Sequence, residues 1–138
     1  MKKTALLVTA AAALLATSAV AQEKIAPGAN VSVVFDQKLP NVPDKSMRVV
    51  LVEYAPGAGS VSHRHPQSAF IYARVLEGAI RSKVNDGPER VYQVGESWTE
   101  KPGDHHQVSH NASDTEPAKL LAIFVVDTND HKIVIPDK

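Results

Sequence analysis

From residue 22 to the C-terminus, the sequence consists of short runs of β-branched and aromatic residues, interrupted by glycine, proline, asparagine and aspartate. No stretch of this region repeats apolar residues at the period of an amphipathic helix. Short strands with regular turn signals are typical of an all-β sandwich or barrel. The predicted strands are 31–35, 48–54, 61–65, 70–76, 80–84, 90–94, 98–100, 106–110, 119–126 and 132–135.

The strand at 119–126 is strongly apolar in both of its alternate rows, which include Ile123 and Phe124. A strand of this kind is expected to be buried on both faces. The segment 36–46 contains two prolines and is expected to be a long connection. Residues 22–30 and 136–138 are expected to be loose termini.

The first 21 residues have the pattern of a cleaved signal peptide. Lys2 and Lys3 precede an apolar run that is too short for a stable membrane anchor, and Ala19-Val20-Ala21 has the small-x-small pattern of a cleavage site. We therefore expect a mature chain that begins at Gln22, has no membrane anchor after processing, and lies in the periplasm or is secreted.

The length of 138 residues favours a single domain after the signal peptide. The predicted divisions are 1–21 for the signal peptide, 22–47 for an N-terminal strand and connection, 48–127 for the barrel core, and 128–138 for a C-terminal strand and tail. The 15 basic and 15 acidic side chains balance, so the charge does not indicate a nucleic-acid surface. Without cysteine, any metal must be held by nitrogen or oxygen ligands.

Two histidines lie two residues apart in the predicted strand 61–65. His63 and His65 therefore project from the same face of that strand, while Ser62 and Arg64 face the other way. Two neighbouring imidazoles can bind one metal ion. The pattern is short, and it also occurs by chance on polar surface strands.

A second pair of histidines begins the predicted strand 106–110. His106, Val108 and His110 would share one face, and His105 would lie on the other. If the valine marks the core, His106 points inward. The alternative is that both histidines of the pair lie in a turn.

Taken together, the two segments resemble the two signature motifs of the cupin superfamily. The first motif is matched by Gly57, His63, His65 and the closing turn Glu77-Gly78, and the second by Gly95, Gly103 and His106. The resemblance covers about residues 48–126. It implies a cupin-type jelly-roll β-barrel that holds one divalent metal ion (Fe, Mn, Ni or Zn) on His63, His65 and His106.

The sequence departs from the family pattern at the fourth ligand. Positions 68–71, where the first motif has its glutamate, contain Ser, Ala, Phe and Ile, and the usual asparagine of the second motif is His110. Gln67, Glu100 and His110 are candidates for this ligand, and water is another. Glu100 could also be a surface turn residue.

The remaining assignments concern the cavity and its chemistry. Phe70, Trp98 and Val108 are expected to line the cavity, and Glu100 and Tyr72 are the candidates for proton transfer. The resemblance implies a small-molecule substrate or ligand. It leaves the reaction open among dioxygenase, isomerase and lyase types. It also leaves open whether the chain forms a homodimer. The alternative is a binding module that holds a small ligand or a metal without turnover.

Overall fold

The computed structural model describes residues 22–138, so the predicted signal peptide at 1–21 lies outside the described residues. The described chain consists of twelve strands and contains no helix, which confirms the all-β prediction. The strands are β1 (Gln22–Ala26), β2 (Ala29–Lys38), β3 (Lys45–Tyr54), β4 (Gly59–Ser60), β5 (His63–Arg64), β6 (Phe70–Glu77), β7 (Ala79–Val84), β8 (Arg90–Gln93), β9 (Ser97–Glu100), β10 (His105–Asn111), β11 (Ala118–Asp127) and β12 (Ile135–Pro136).

The strands form two antiparallel sheets. The first has the order β1-β2-β3-β11-β6-β9, and the second has the order β12-β5-β10-β7-β8, with β4 paired to β10. Several neighbouring strands, such as β3 with β11 and β5 with β10, come from distant parts of the chain, as in a jelly roll. No helix in the described part of the chain is long and apolar enough to cross a membrane.

The core lies between the two sheets. The inward rows of the central strands β3 and β11 are buried, and they include Val50, Tyr54, Leu120 and Phe124. Removing such side chains from water supplies most of the free energy that holds two sheets together.

The prediction that β11 is buried on both faces is wrong for its outward row. Leu121, Ile123 and Val125 are only half-buried, and they alternate with fully buried positions. The prediction assumed that an apolar row must be buried, but apolar side chains also make up much of an ordinary protein surface.

The ends of the described chain and the connection before β3 also differ from expectation. β1 pairs with β2 through the register Gln22↔Ser32, so residues 22–30 are not a loose terminus. At the other end, Pro136 pairs with His63, and the backbone amide of Asp137 donates to the Ser62 carbonyl. The expected long connection at 36–46 shortens to residues 39–44, because β2 continues to Lys38 and β3 begins at Lys45.

Candidate metal centre

Three histidines meet inside the barrel. β5 pairs with β10 so that His63 lies directly opposite His106, and His65 follows two residues later on the same face. The ring centroid of His63 lies 4.8 Å from that of His65 and 5.2 Å from that of His106. One nitrogen of each ring lies within 4.8 Å of the corresponding nitrogens of the others, which is close enough for three ligands of one ion.

Each imidazole is oriented by a hydrogen bond from its other nitrogen. His63 Nδ1 donates to the Val61 carbonyl at 2.7 Å, and His65 Nδ1 donates to the Ile133 carbonyl at 2.6 Å. Because a carbonyl can only accept, these bonds leave the Nε2 lone pair of each neutral ring free. Such outer contacts orient metal-binding histidines in known sites.

The His106 ring is held by side chains, one at each of its two nitrogens. Its Nε2 lies 2.9 Å from Ser82 Oγ, and its Nδ1 lies 3.2 Å from Glu100 Oε1. The neighbouring Trp98 indole donates to the same carboxylate oxygen at 3.1 Å. Trp98 and Glu100 share the inward face of β9, which places this carboxylate beside the histidines.

Glu100 supplies the observation that points most directly to a cation. Its side chain is 2 % exposed, and among the described residues nothing donates a hydrogen bond to its buried Oε2. His65 Nε2, whose lone pair the Ile133 bond leaves free, lies 3.4 Å from this oxygen. A buried carboxylate oxygen that faces a lone pair is costly unless a positive charge lies between them. Three imidazoles and one carboxylate form a donor set that fits Fe, Mn, Ni or Zn.

The ionisation of these groups also suits a metal site. Burial, with the nearby His65, lowers the pKa of His63 to about 4, and burial lowers the pKa of His106 as well. Burial alone would raise the pKa of Glu100, but protonated imidazoles at His65 and His106 would lower it by more, to about 2. Neutral imidazoles beside an ionised carboxylate are the forms that bind a metal.

The lowered pKa values predict that metal-free protein loses stability in acid. The unfolded chain takes up a proton on His63 near pH 6.5, whereas the folded chain resists it until about pH 4, so acid favours unfolding across this range. A pKa lowered from 6.5 to about 4 corresponds to about 3 kcal/mol of unfolding free energy at the acidic end. Glu100 acts in the same direction from pH 4.5 to about 2.

Urea denaturation of chelator-treated protein between pH 7 and pH 4.5 measures this effect. His63→Ala should show a clearly weaker dependence on pH across that range. Equal stability of the original protein at both ends would contradict the burial argument.

The second half of β10 differs from the predicted alternation. The pairing with β7 shifts register between His106 and Val108, which is the mark of a β-bulge. Ser109 and Asn111 therefore follow His106 into the interior, and Val108 does not line the cavity as expected. His110 lies against Gly59, apart from the histidine group, so its candidacy as a fourth ligand is not supported by its position.

Three further candidates lie outside the cavity. On β6 the inward positions are Ile71 and Ala73, so Phe70 points outward with 46 % of its surface exposed, and its assignment to the cavity is wrong. Tyr72 shares this outward face beside Arg74, so it is not placed for proton transfer at the histidines. Gln67 is exposed and lies against Gly103 rather than the histidine group.

The cavity beside the histidines is small and mostly apolar. Its volume is about 40 Å³, counted for the centre of a water-sized sphere, and Trp98 forms part of its wall. Tyr54 Oη bonds Ser60 Oγ at 2.6 Å and Ser109 Oγ at 2.8 Å, which makes a buried hydroxyl cluster in the same wall. Sequence reasoning missed this cluster and the two groups that orient His65 and His106. Ser82 could have been found from its inward position in a predicted strand, whereas the Ile133 carbonyl leaves no side-chain signal.

Comparisons with known proteins concern the family and the fold of the chain. The family model described as a cupin domain matches residues 50–124. Among curated proteins, the chain is 28 % identical over 80 residues to the cupin-domain-containing oxidoreductase fogC of Aspergillus ruber. That alignment covers 58 % of this chain and 38 % of the relative, so the chain spans well under half of that protein's length.

Solved structures show the same fold. KdgF from a Halomonas species matches with a TM-score of 0.59 at 17 % identity, over 80 % of this chain and 89 % of that one. An RmlC-like cupin from Shewanella frigidimarina matches with a TM-score of 0.59 at 20 % identity, over 81 % and 88 %. An oxalate oxidase matches with a TM-score of 0.59 at 21 % identity, over 79 % and 55 %. The predicted cupin-type jelly roll is thereby confirmed.

Proposed function

The chain belongs to the cupin domain family, and from that premise we propose that it is a metal-dependent enzyme acting on a small molecule. His63, His65 and His106 bind one divalent ion, with Glu100 as the fourth protein ligand. The observation that carries the proposal is the buried Glu100 Oε2, which has no hydrogen-bond donor among the described residues and faces the free lone pair of His65.

The described residues around the proposed ion have different roles. A bound divalent ion supplies Lewis acidity and, for iron or manganese, redox chemistry. The carbonyls of Val61 and Ile133 and the hydroxyl of Ser82 hold the three imidazoles in place. The Trp98 indole fixes the Glu100 carboxylate, and the apolar cavity wall excludes bulk water.

The similar proteins suggest which chemistry to test first. The Aspergillus relative is named an oxidoreductase and one structural neighbour is an oxalate oxidase, so we favour oxygen-dependent oxidation over isomerase or lyase chemistry. Oxygen uptake by iron- or manganese-loaded protein with small hydroxy and carboxylic acids would test this choice. Turnover without oxygen uptake would favour the isomerase or lyase types instead.

Replacing Glu100 with glutamine should lower metal affinity at least about tenfold, because the change removes the negative charge from a buried ligand while keeping its shape. Glu116→Gln is a matched control, since Glu116 is exposed and lies outside the cavity. Metal affinity is measured by competition with a chromophoric chelator. Full affinity with lost turnover would make Glu100 a proton-transfer group rather than a ligand.

A non-catalytic metal-binding module is the second candidate function. The small volume of the cavity beside the histidines favours it, because little space remains for a substrate. A metal-loaded protein without turnover in the oxygen-uptake and oxygen-independent assays would support this function over the enzyme.

We also propose that the protein is exported to the periplasm or beyond the cell. The support is the pattern of Lys2, Lys3, the apolar run and Ala19-Val20-Ala21. Mass spectrometry of the periplasmic fraction should find a mature chain that begins at Gln22. A mature pool that retains Met1 would contradict export by cleavage.

A further inference from the structure

A second cavity adjoins the one that contains the histidines. The inner cavity measures about 40 Å³ and the outer one about 250 Å³, both counted for the centre of a water-sized sphere. Trp98 borders both. Ser82 lines the outer cavity, and its hydroxyl contacts His106 Nε2 at 2.9 Å, so the outer cavity reaches the back of the histidine group.

The outer cavity combines two aromatic rings with a cation. The ring centroids of Tyr92 and Trp98 lie 4.8 Å apart, and the Arg90 guanidinium carbon lies 4.9 Å from the Tyr92 centroid. This stacking orients the guanidinium group beside the cavity.

The charge of Arg90 is not neutralised within the described part of the chain. Among the side chains described, those of residues 26–138, no carboxylate oxygen lies within 4.0 Å of its guanidinium nitrogens, whereas Arg81 on β7 pairs with Glu89 at 3.3 Å. A planar cation beside two aromatic rings suits a flat molecule that ends in a carboxylate, because guanidinium and carboxylate groups can form two parallel hydrogen bonds.

The geometry points to the outer cavity as a binding site for the carboxylate end of a small, flat substrate. Arg90 binds the carboxylate, Tyr92 and Trp98 contact the flat body, and the reacting end extends past Trp98 into the inner cavity. This inference rests on the proposed function, since it assumes that the chemistry takes place at the histidines.

Trp98 is the only tryptophan in the chain, so its fluorescence reports on the wall between the two cavities. The probes are benzoate and benzamide, which share a flat body and differ in charge, added to zinc-loaded protein. We expect a saturable change in emission with benzoate, and binding of benzamide that is weaker by about tenfold.

Arg90→Gln should weaken benzoate binding by about tenfold, because it removes a charge-assisted hydrogen-bond donor. Arg90→Lys should restore part of the affinity. Arg81→Gln is the matched control, since it removes an exposed arginine that does not line the outer cavity, and it should leave benzoate binding unchanged.

The absence of a saturable change in the original protein, or equal benzoate affinity in Arg90→Gln and Arg81→Gln, would overturn the inference. Metal content is measured on the same samples, so that a loss of benzoate binding can be distinguished from a loss of metal binding. Benzoate titration of metal-free protein tests the outer cavity even if no metal binds.

Discussion

Alanine substitution of His63, His65 or His106 will remove most of the bound metal, with a loss of affinity of about a hundredfold or more. Each ring supplies one of three nitrogens that already lie within 4.8 Å of one another. Each substitution removes a direct ligand from this preformed set, which costs more than the loss of an outer contact to a ligand. Chelator competition gives the affinity, and circular dichroism checks that each variant folds.

His105→Ala and His131→Ala are the matched controls for this experiment. His105 points away from the group, and its Nε2 contacts Asp137 at 2.7 Å and Ser62 at 2.9 Å. His131 is exposed near the C-terminus. Both variants should keep the metal. If His105→Ala lost the metal and His106→Ala kept it, the inward and outward faces of β10 would be assigned the wrong way round.

Replacing Phe124 with alanine will destabilise the fold by about 3–5 kcal/mol. Its ring is 2 % exposed, lies in the inward row of β11, and packs edge-on against His65 with 5.2 Å between the ring centroids. Truncation removes buried apolar surface and leaves a cavity that the neighbouring strands cannot fill.

Ile123→Ala is the comparison for that measurement. Ile123 lies on the outward, half-buried row of the same strand, so its truncation should cost clearly less than that of Phe124. Urea denaturation of both variants gives the two free energies of unfolding. Equal losses would show that the outward face of the sheet is covered in solution.

The part of the site that depends on local periodicity could be predicted from the sequence. His63 and His65 share a face because strand side chains alternate, and no long-range information is needed to see it. The same rule failed along β10, where the bulge after His106 replaced Val108 with Ser109 in the interior. A bulge adds one residue to one strand only, and neither the valine nor the histidines of this strand signal it.

The position of Glu100 required the pairing of distant strands. The register Ile71↔Glu100 joins β6 to β9, and β10 then brings His106 to the same carboxylate. From the sequence, Glu100 was one of several candidates for the fourth ligand because its strand had no known partner. The outward position of Phe70 has a related cause, since an aromatic residue in a strand does not show which face is covered.

The metal content of untagged protein tests the central claim most directly. The protein is dialysed with micromolar Mn, Fe, Ni or Zn, freed of loosely bound ions, and analysed by inductively coupled plasma mass spectrometry. We predict close to one metal ion per chain in the original protein and almost none in His63→Ala. Metal-free original protein under all four conditions would contradict a metal centre on His63, His65, His106 and Glu100.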